Sequence, residues 1–224
     1  MTTTDGFVTG AAGGPPRFLP SAHGFAFPNT WPSVPAVVLR TPLGRIRIGD
    51  AGAGLCGGMV FAALDYWRAG VPPPAEQPQR GQPLFRFVVR RLVGSWRIPF
   101  GVARYYRWMA RSDERLARRT LDGQWPRVRA ELDADRPVPL GVVTVASRRP
   151  GELKHNHQVL AYAYDRDGDE VTLRVYDPNQ GPRDDIAIRF RLAGPPGFAH
   201  NLDLDRPVRG FFHTGYRPKR PPAG

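Results

Sequence analysis

A chain of 224 residues with one cysteine, Cys56, cannot close an internal disulfide. Lysine is almost as scarce. Lys154 and Lys219 are the only two, so 30 of the 32 basic side chains are arginine. No run of about 18 apolar residues occurs anywhere, which excludes a membrane-spanning helix. The first residues, Met1-Thr2-Thr3-Thr4-Asp5-Gly6, lack the basic start and apolar run of a signal peptide, so a cytoplasmic location is expected. Acidic residues number only 20, leaving a net charge of +12. Such a charge attracts acidic partners, nucleic acid or anionic lipid. Its arginine bias, alongside 25 glycines and 25 prolines, also fits a genomic base-composition effect, which weakens it as a functional signal.

What is present suffices for one domain with a core, since 41% of the residues are hydrophobic. Residues 1–35, rich in Gly, Pro, Thr and Ser, read as an irregular arm, although Phe25, Phe27 and Trp31 are too aromatic for a pure linker. Val37-Val38-Leu39 and Ile46-Arg47-Ile48 read as short strands around Pro42-Leu43-Gly44. Residues 36–215 form the expected domain, with an arginine-rich helical insertion at about 71–135 and a basic, Pro-rich tail at 216–224 expected to fray. Within the insertion, Leu84 to Arg119 is helical in pattern, and Pro99 should kink or split it. Arg80 to Arg119 holds eleven arginines against Asp113 and Glu114. Arg90, Arg97, Arg104 and Arg111 recur every seven residues and are expected along one face. That face is either an ordinary solvated one or a basic surface for an acidic ligand, nucleic acid or membrane. Gln124 to Asp135 reads as another helix, and Pro139 to Val145 as a buried strand.

Two stretches carry chemistry. Gly54-Leu55-Cys56-Gly57-Gly58-Met59 runs into Val60-Phe61-Ala62-Ala63-Leu64-Asp65-Tyr66-Trp67, an apolar helix-forming run. Gly70 and Pro72 to Pro74 stop the helix near residue 69. Cys56 therefore sits at a helix N-terminus, where unpaired N–H groups and the helix dipole favour a thiolate. Gly57 and Gly58 are expected to leave room for a substrate backbone. A small buried hydrophobe is the alternative reading of Cys56. The second stretch, His157 to Asp177, reads as a hairpin around Gly168. Folded symmetrically about Asp167, it sets Val159 opposite Val175 and His157 opposite Asp177, within side-chain reach. His157, Val159, Ala161, Ala163, Val171, Leu173, Val175 and Asp177 then share a face. A carboxylate beside an imidazole fixes its tautomer and raises its basicity, freeing the other ring nitrogen to take a thiol proton. A purely structural His–Asp pair is the alternative. His155 and His157 lack the companions of a metal site, and no metal or cofactor is expected.

A cysteine opening a long helix, then Asn156-His157-Gln158-Val159 opening a strand, then Tyr176-Asp177-Pro178-Asn179 closing the next, resembles the papain-like cysteine peptidases. The branch it most resembles contains the bacteriocin-leader (double-glycine) peptidases and their stand-alone bacterial relatives. The resemblance spans about residues 45–215. It implies an α+β papain-like fold, in which a helical half bearing Cys56 packs on an antiparallel sheet bearing His157 and Asp177. It also implies a cysteine hydrolase, a peptidase or amidase acting on a peptide or amide through an acyl-enzyme. Cys56 would be nucleophile, His157 general base and acid, and Asp177 the orienting carboxylate, with Asn179 as alternative orienter.

One departure stands out. The family usually has a glutamine six residues before the cysteine, whose amide stabilises the oxyanion. This chain has Asp50 there, and a carboxylate cannot donate. Losing one such donor costs about 100- to 1000-fold in rate. Asn29, Gln158 or a backbone N–H is then expected to contact the oxyanion or substrate instead. Otherwise the scaffold is a weak or inactive binding module, or an acyltransferase. A basic surface binder of nucleic acid or membrane is a further, less favoured reading.

Overall fold

A computed structural model describes residues 16–31, 37–41, 44–48, 55–96 and 100–222. Its architecture is α+β. In chain order come helix α1 (Pro20–His23), strands β1 (Val37–Thr41) and β2 (Gly44–Ile48), and helices α2 (Cys56–Arg68), α3 (Pro83–Trp96), α4 (Phe100–Met109) and α5 (Asp113–Arg119). A π-helical turn, Thr120–Gln124, leads into α6 (Trp125–Leu132). Strand β3 (Val138–Val143), a 3₁₀ turn, and strands β4 (His157–Asp167), β5 (Glu170–Tyr176), β6 (Ala187–Arg191), β7 (Phe198–His200) and β8 (Gly210–His213) complete it. The last six strands form one curled antiparallel sheet in the order β7-β6-β5-β4-β3-β8, and β1 and β2 pair separately.

Helix α2 is buried at every residue from Cys56 to Trp67. A helix apolar all round needs cover on all sides. Leu160, Tyr162 and Tyr176 of the sheet supply one side, and Phe85, Val88 and Leu92 of α3 another. The N-terminal arm adds Phe18, Phe25 and Phe27. The opposite face of the sheet buries Val159, Ala161, Val171, Leu173 and Val175 under Trp125, Val128 and Leu132 of α6. A third cluster joins Tyr105, Trp108, Met109 and Leu116 to Val143, Val145 and Phe212. The 71–135 insertion is thus integral to the core on both sheet faces. Helix α3 is described to Trp96 and α4 from Phe100, and Pro99 lies outside the described residues.

Three expectations need correction. The tail does not fray: through Pro222 it is held on α2. Tyr216 Oη donates to Asp65 Oδ1 at 2.6 Å and the Lys219 N–H to the same oxygen at 2.8 Å. Arg91 Nε lies 2.6 Å from Asp65 Oδ2, and Arg91 Nη2 donates to the Arg217 carbonyl. Nor is there one arginine stripe. Arg90 is exposed on α3, Arg104 is half-buried on α4 and Arg111 lies beyond its end, while Arg97 falls outside the described residues. Arg90 and Arg104 stand on two different helices, and a seven-residue spacing aligns side chains only along one.

The hairpin register also differs. The turn is a two-residue loop, Gly168-Asp169, with Gly168 at φ 55°, so Asp167 pairs Glu170 and Tyr164 pairs Leu173. That is three residues from the symmetric fold about Asp167. An irregularity between Ala161 and Ala163 takes one residue back, so Ala161 pairs Val175 and Leu160 pairs Tyr176. A bulge inserts one residue on one strand and switches side-chain parity beyond it. Ala163 accordingly joins the α2 core, while Val159 and Ala161 stay on the expected face.

Among the described residues no helix is long and apolar enough to cross a membrane. The buried Asp65–Arg91 contact sets a stability prediction. Removing one partner of a buried ion pair strands the other charge, so Asp65→Ala should cost about 3–5 kcal/mol. Urea unfolding followed by tryptophan fluorescence measures this, and a loss under about 1 kcal/mol would contradict the proposed role of the tail anchor.

Candidate active site

Cys56 is the first residue of α2. Among the described residues no side chain caps that helix end, and Leu55 precedes it with φ −105° and ψ 21°. The Leu55 N–H donates to Asn29 Oδ1 at 2.9 Å. The cysteine is 8% exposed. His157 opens β4, 5% exposed, and Asp177 follows β5, fully buried. His157 Nε2 and Asp177 Oδ1 lie 2.8 Å apart. The register puts the pair on a diagonal, and a long side chain spans such an offset. Cys56 hydrogen-bonds the same imidazole. Nε2 is taken by the carboxylate, which leaves Nδ1 to face the sulfur.

The carboxylate is fully engaged. Oδ1 also accepts the Asn179 N–H at 3.0 Å, and Oδ2 the Asp203 N–H at 3.2 Å. Burial by itself would raise the Asp177 pKa, but the facing imidazolium and these donors outweigh it and hold it below the usual carboxylate range. Burial would likewise lower His157, but Asp177 and Cys56 outweigh burial and push it up to about 10. The geometry therefore favours a protonated ring between a carboxylate and a sulfur.

Asn179 contacts Asp177 through its backbone. Its side-chain Oδ1 accepts from Asn29 Nδ2 at 3.0 Å, and the ring nitrogen of His157 goes to Asp177. Asn29 Oδ1 also accepts from Trp31 Nε1 at 2.9 Å. Asn29 thus ties the start of α2 to the loop after β5. Gln158 is buried against α2. Ser95 Oγ donates to the Leu92 carbonyl at 2.8 Å, so it must accept from Gln158 Nε2, at 3.2 Å. The unpartnered atom of Gln158 is Oε1, an acceptor, which has the wrong polarity for an oxyanion. Asp50 and Gly54 lie outside the described residues.

The two glycines after Cys56 serve packing, which corrects the expectation of space for substrate. A Cβ on Gly58 would strike the Val88 carbonyl of α3. A Cβ on Gly57 would lie 2.5 Å from Ser95 Oγ and 2.6 Å from Gln158 Nε2. Sequence reasoning missed Tyr105 altogether. Its hydroxyl donates to the His157 carbonyl at 3.2 Å, and it lies close enough to Cys56 to interact electrostatically. Gly141 makes room for it, since a Cβ there would sit 2.5 Å from that hydroxyl. A glycine inside an otherwise apolar strand was the available signal, because it marks a close approach. The Asp203 N–H, 26 residues from Asp177, left no such sign.

Among the described residues no group of three or more His, Cys, Asp or Glu side chains could hold a metal ion. Comparison with protein-family models, with curated proteins and with solved structures finds no match.

Two pH dependences follow. His157 should keep its proton far above the ordinary value of about 6.5. NMR titration of its Cε1–H should give a midpoint moved towards 10, falling back in Asp177→Asn. Because its folded pKa is raised, the stability it contributes is complete below about pH 6.5 and lost as pH rises through about 10. Asp177 has the opposite sign. Its contribution is present above the ordinary aspartate value of about 3.9 and lost as pH falls through the lower folded value. Acid unfolding of Asp177→Asn should therefore be less steep than that of the native chain.

Proposed function

We propose that the chain is a cysteine hydrolase built on a papain-like scaffold, acting on a peptide or amide through an acyl-enzyme. One observation carries the reading. A buried imidazole is held by a carboxylate at 2.8 Å on Nε2 and by the only cysteine on its other side. The order Cys, His, Asp along the chain and the α+β architecture support it.

In the proposed cycle the Cys56 proton passes to His157 Nδ1. The thiolate attacks the acyl carbon, forming a C–S bond as the carbonyl electrons move to oxygen. Collapse expels the amine, which takes the proton from Nδ1. Water then attacks the thioester, its proton goes to His157, and the acid leaves as the thiol re-forms. An amine in place of water would make the enzyme an acyltransferase. Asp177 keeps the ring oriented and stabilises its charge throughout. The first N–H groups of α2, with no side-chain cap, are the donors nearest the sulfur for the oxyanion. A second reading, an inactive scaffold used for binding, is favoured by the 8% exposure of the thiol and by the engagement of Gln158 Nε2 with Ser95.

Alkylation by iodoacetamide separates the two, because every mole incorporated is at Cys56. With an activated pair, the rate at pH 6 should exceed that of free cysteine and fall by at least about tenfold in His157→Ala. A native rate no faster than free cysteine, and indifferent to His157, would leave the binding scaffold.

A further inference from the structure

A cavity of about 340 Å³, at the small end of the range for ligand pockets, adjoins the candidate active site. Two of its lining residues belong to the site as well. Tyr105 bonds the His157 carbonyl, and Ser95 accepts from Gln158 and abuts Gly57. Arg104 and Arg107 line it from α4, and no lining residue is acidic. Arg104 is held in place, its guanidinium 4.9 Å over the Phe212 ring and Nη1 donating to the His213 carbonyl at 2.6 Å. Arg107, one turn further on, is exposed and makes no hydrogen bond or ion pair among the described residues. Most other buried or half-buried cations here face a carboxylate that offsets their charge, as Arg91 faces Asp65 and Arg209 faces Asp113. Two like charges on one wall of a low-dielectric cleft concentrate counter-ions, by roughly 10- to 1000-fold in favourable cases.

We propose that this cavity is the specificity subsite for a carboxylate on the substrate, held by Arg104 and Arg107 while the scissile bond lies at Cys56. This rests on the hydrolase reading. The Phe212 ring and Phe100, 79% exposed at the rim, accommodate the aliphatic part of an acidic side chain or of a chain end. Thr214 adds a hydroxyl to the same lining.

Three unreactive probes test it on the native protein: N-acetyl-glutamine amide, which is neutral, N-acetyl-glutamate amide, with a side-chain carboxylate, and N-acetyl-glutamine, with a terminal one. Binding is read by saturation-transfer NMR at low salt. One of the two anionic probes should bind about tenfold more tightly than the neutral one, and which one does so assigns the carboxylate to a side chain or to a chain end. The preference should vanish in Arg107→Gln and shrink in Arg104→Gln. It should survive in Arg189→Gln, which removes an equal charge from β6, away from the cavity. Equal binding of all three probes overturns the proposal. So does a preference that Arg107→Gln leaves intact or that Arg189→Gln abolishes, since diffuse charge would then explain it. The bound anionic probe should also slow iodoacetamide at Cys56, and an unchanged rate at saturation would overturn the link to the site. None of these readouts needs an activated thiol, so failure of the hydrolase reading remains separately visible.

Discussion

The structure depends on the complete burial of α2. Twelve consecutive residues from Cys56 to Trp67 leave no face for water, so each side of this helix needs cover from elsewhere in the fold. The sheet covers one side, α3 a second, the aromatic arm a third and the C-terminal tail a fourth. Close approach of α3 requires Gly58, because any side chain there would meet the Val88 carbonyl. Asp65 is the one buried charge within this helix. It is neutralised by Arg91 and by donors from Tyr216 and Lys219, which draws the tail in as the last piece of cover. Burial of a carboxylate is costly unless such partners exist, so helix and tail are coupled.

Rigid placement of α2 brings its first residue to the end of the sheet where β4 begins and β5 ends. There a second buried carboxylate, Asp177, is satisfied in the same manner, by two backbone N–H groups and an imidazole. The contrast between the two aspartates is physical. Asp65 is raised because burial dominates its partners, whereas Asp177 is lowered because a facing imidazolium and two backbone donors dominate burial. Asp65 behaves as a structural anchor. Asp177 has the environment of a group that maintains a positive charge on its neighbour, which is the requirement for an imidazole paired with a sulfur.

Helix α4 connects the site to its surroundings. Tyr105 fixes the backbone of His157 from one side of this helix, and Arg104 and Arg107 project into the adjoining cavity from another. One element thus positions the imidazole and lines the space beside it. The helical insertion that supplies α4 is also needed to close the core, so the cavity wall and the core are built from the same segment.

Local periodicity alone determined much of this protein. The span of α2, the strand before the Asn156-His157 stretch, the hairpin and the order Cys, His, Asp are legible because each depends on neighbours a few residues away. Even the meeting of His157 with Asp177 followed from the hairpin, although for a partly different reason. The symmetric fold paired them directly, whereas a two-residue turn and a bulge together shift the register by two and keep the parity. Bulge position depends on how Tyr162 and Ala163 pack against α2, which no local pattern encodes. Tertiary structure alone decided the roles of the remaining residues. Tyr105 meets His157 across 52 residues and Lys219 meets Asp65 across 154. Within one arginine-rich stretch, Arg91 became half of a buried ion pair, Arg104 a stacked guanidinium and Arg107 an exposed one. Charge and spacing are properties of the sequence, but whether a cation is neutralised inside the protein or left facing a cavity depends on which distant groups the fold brings to it.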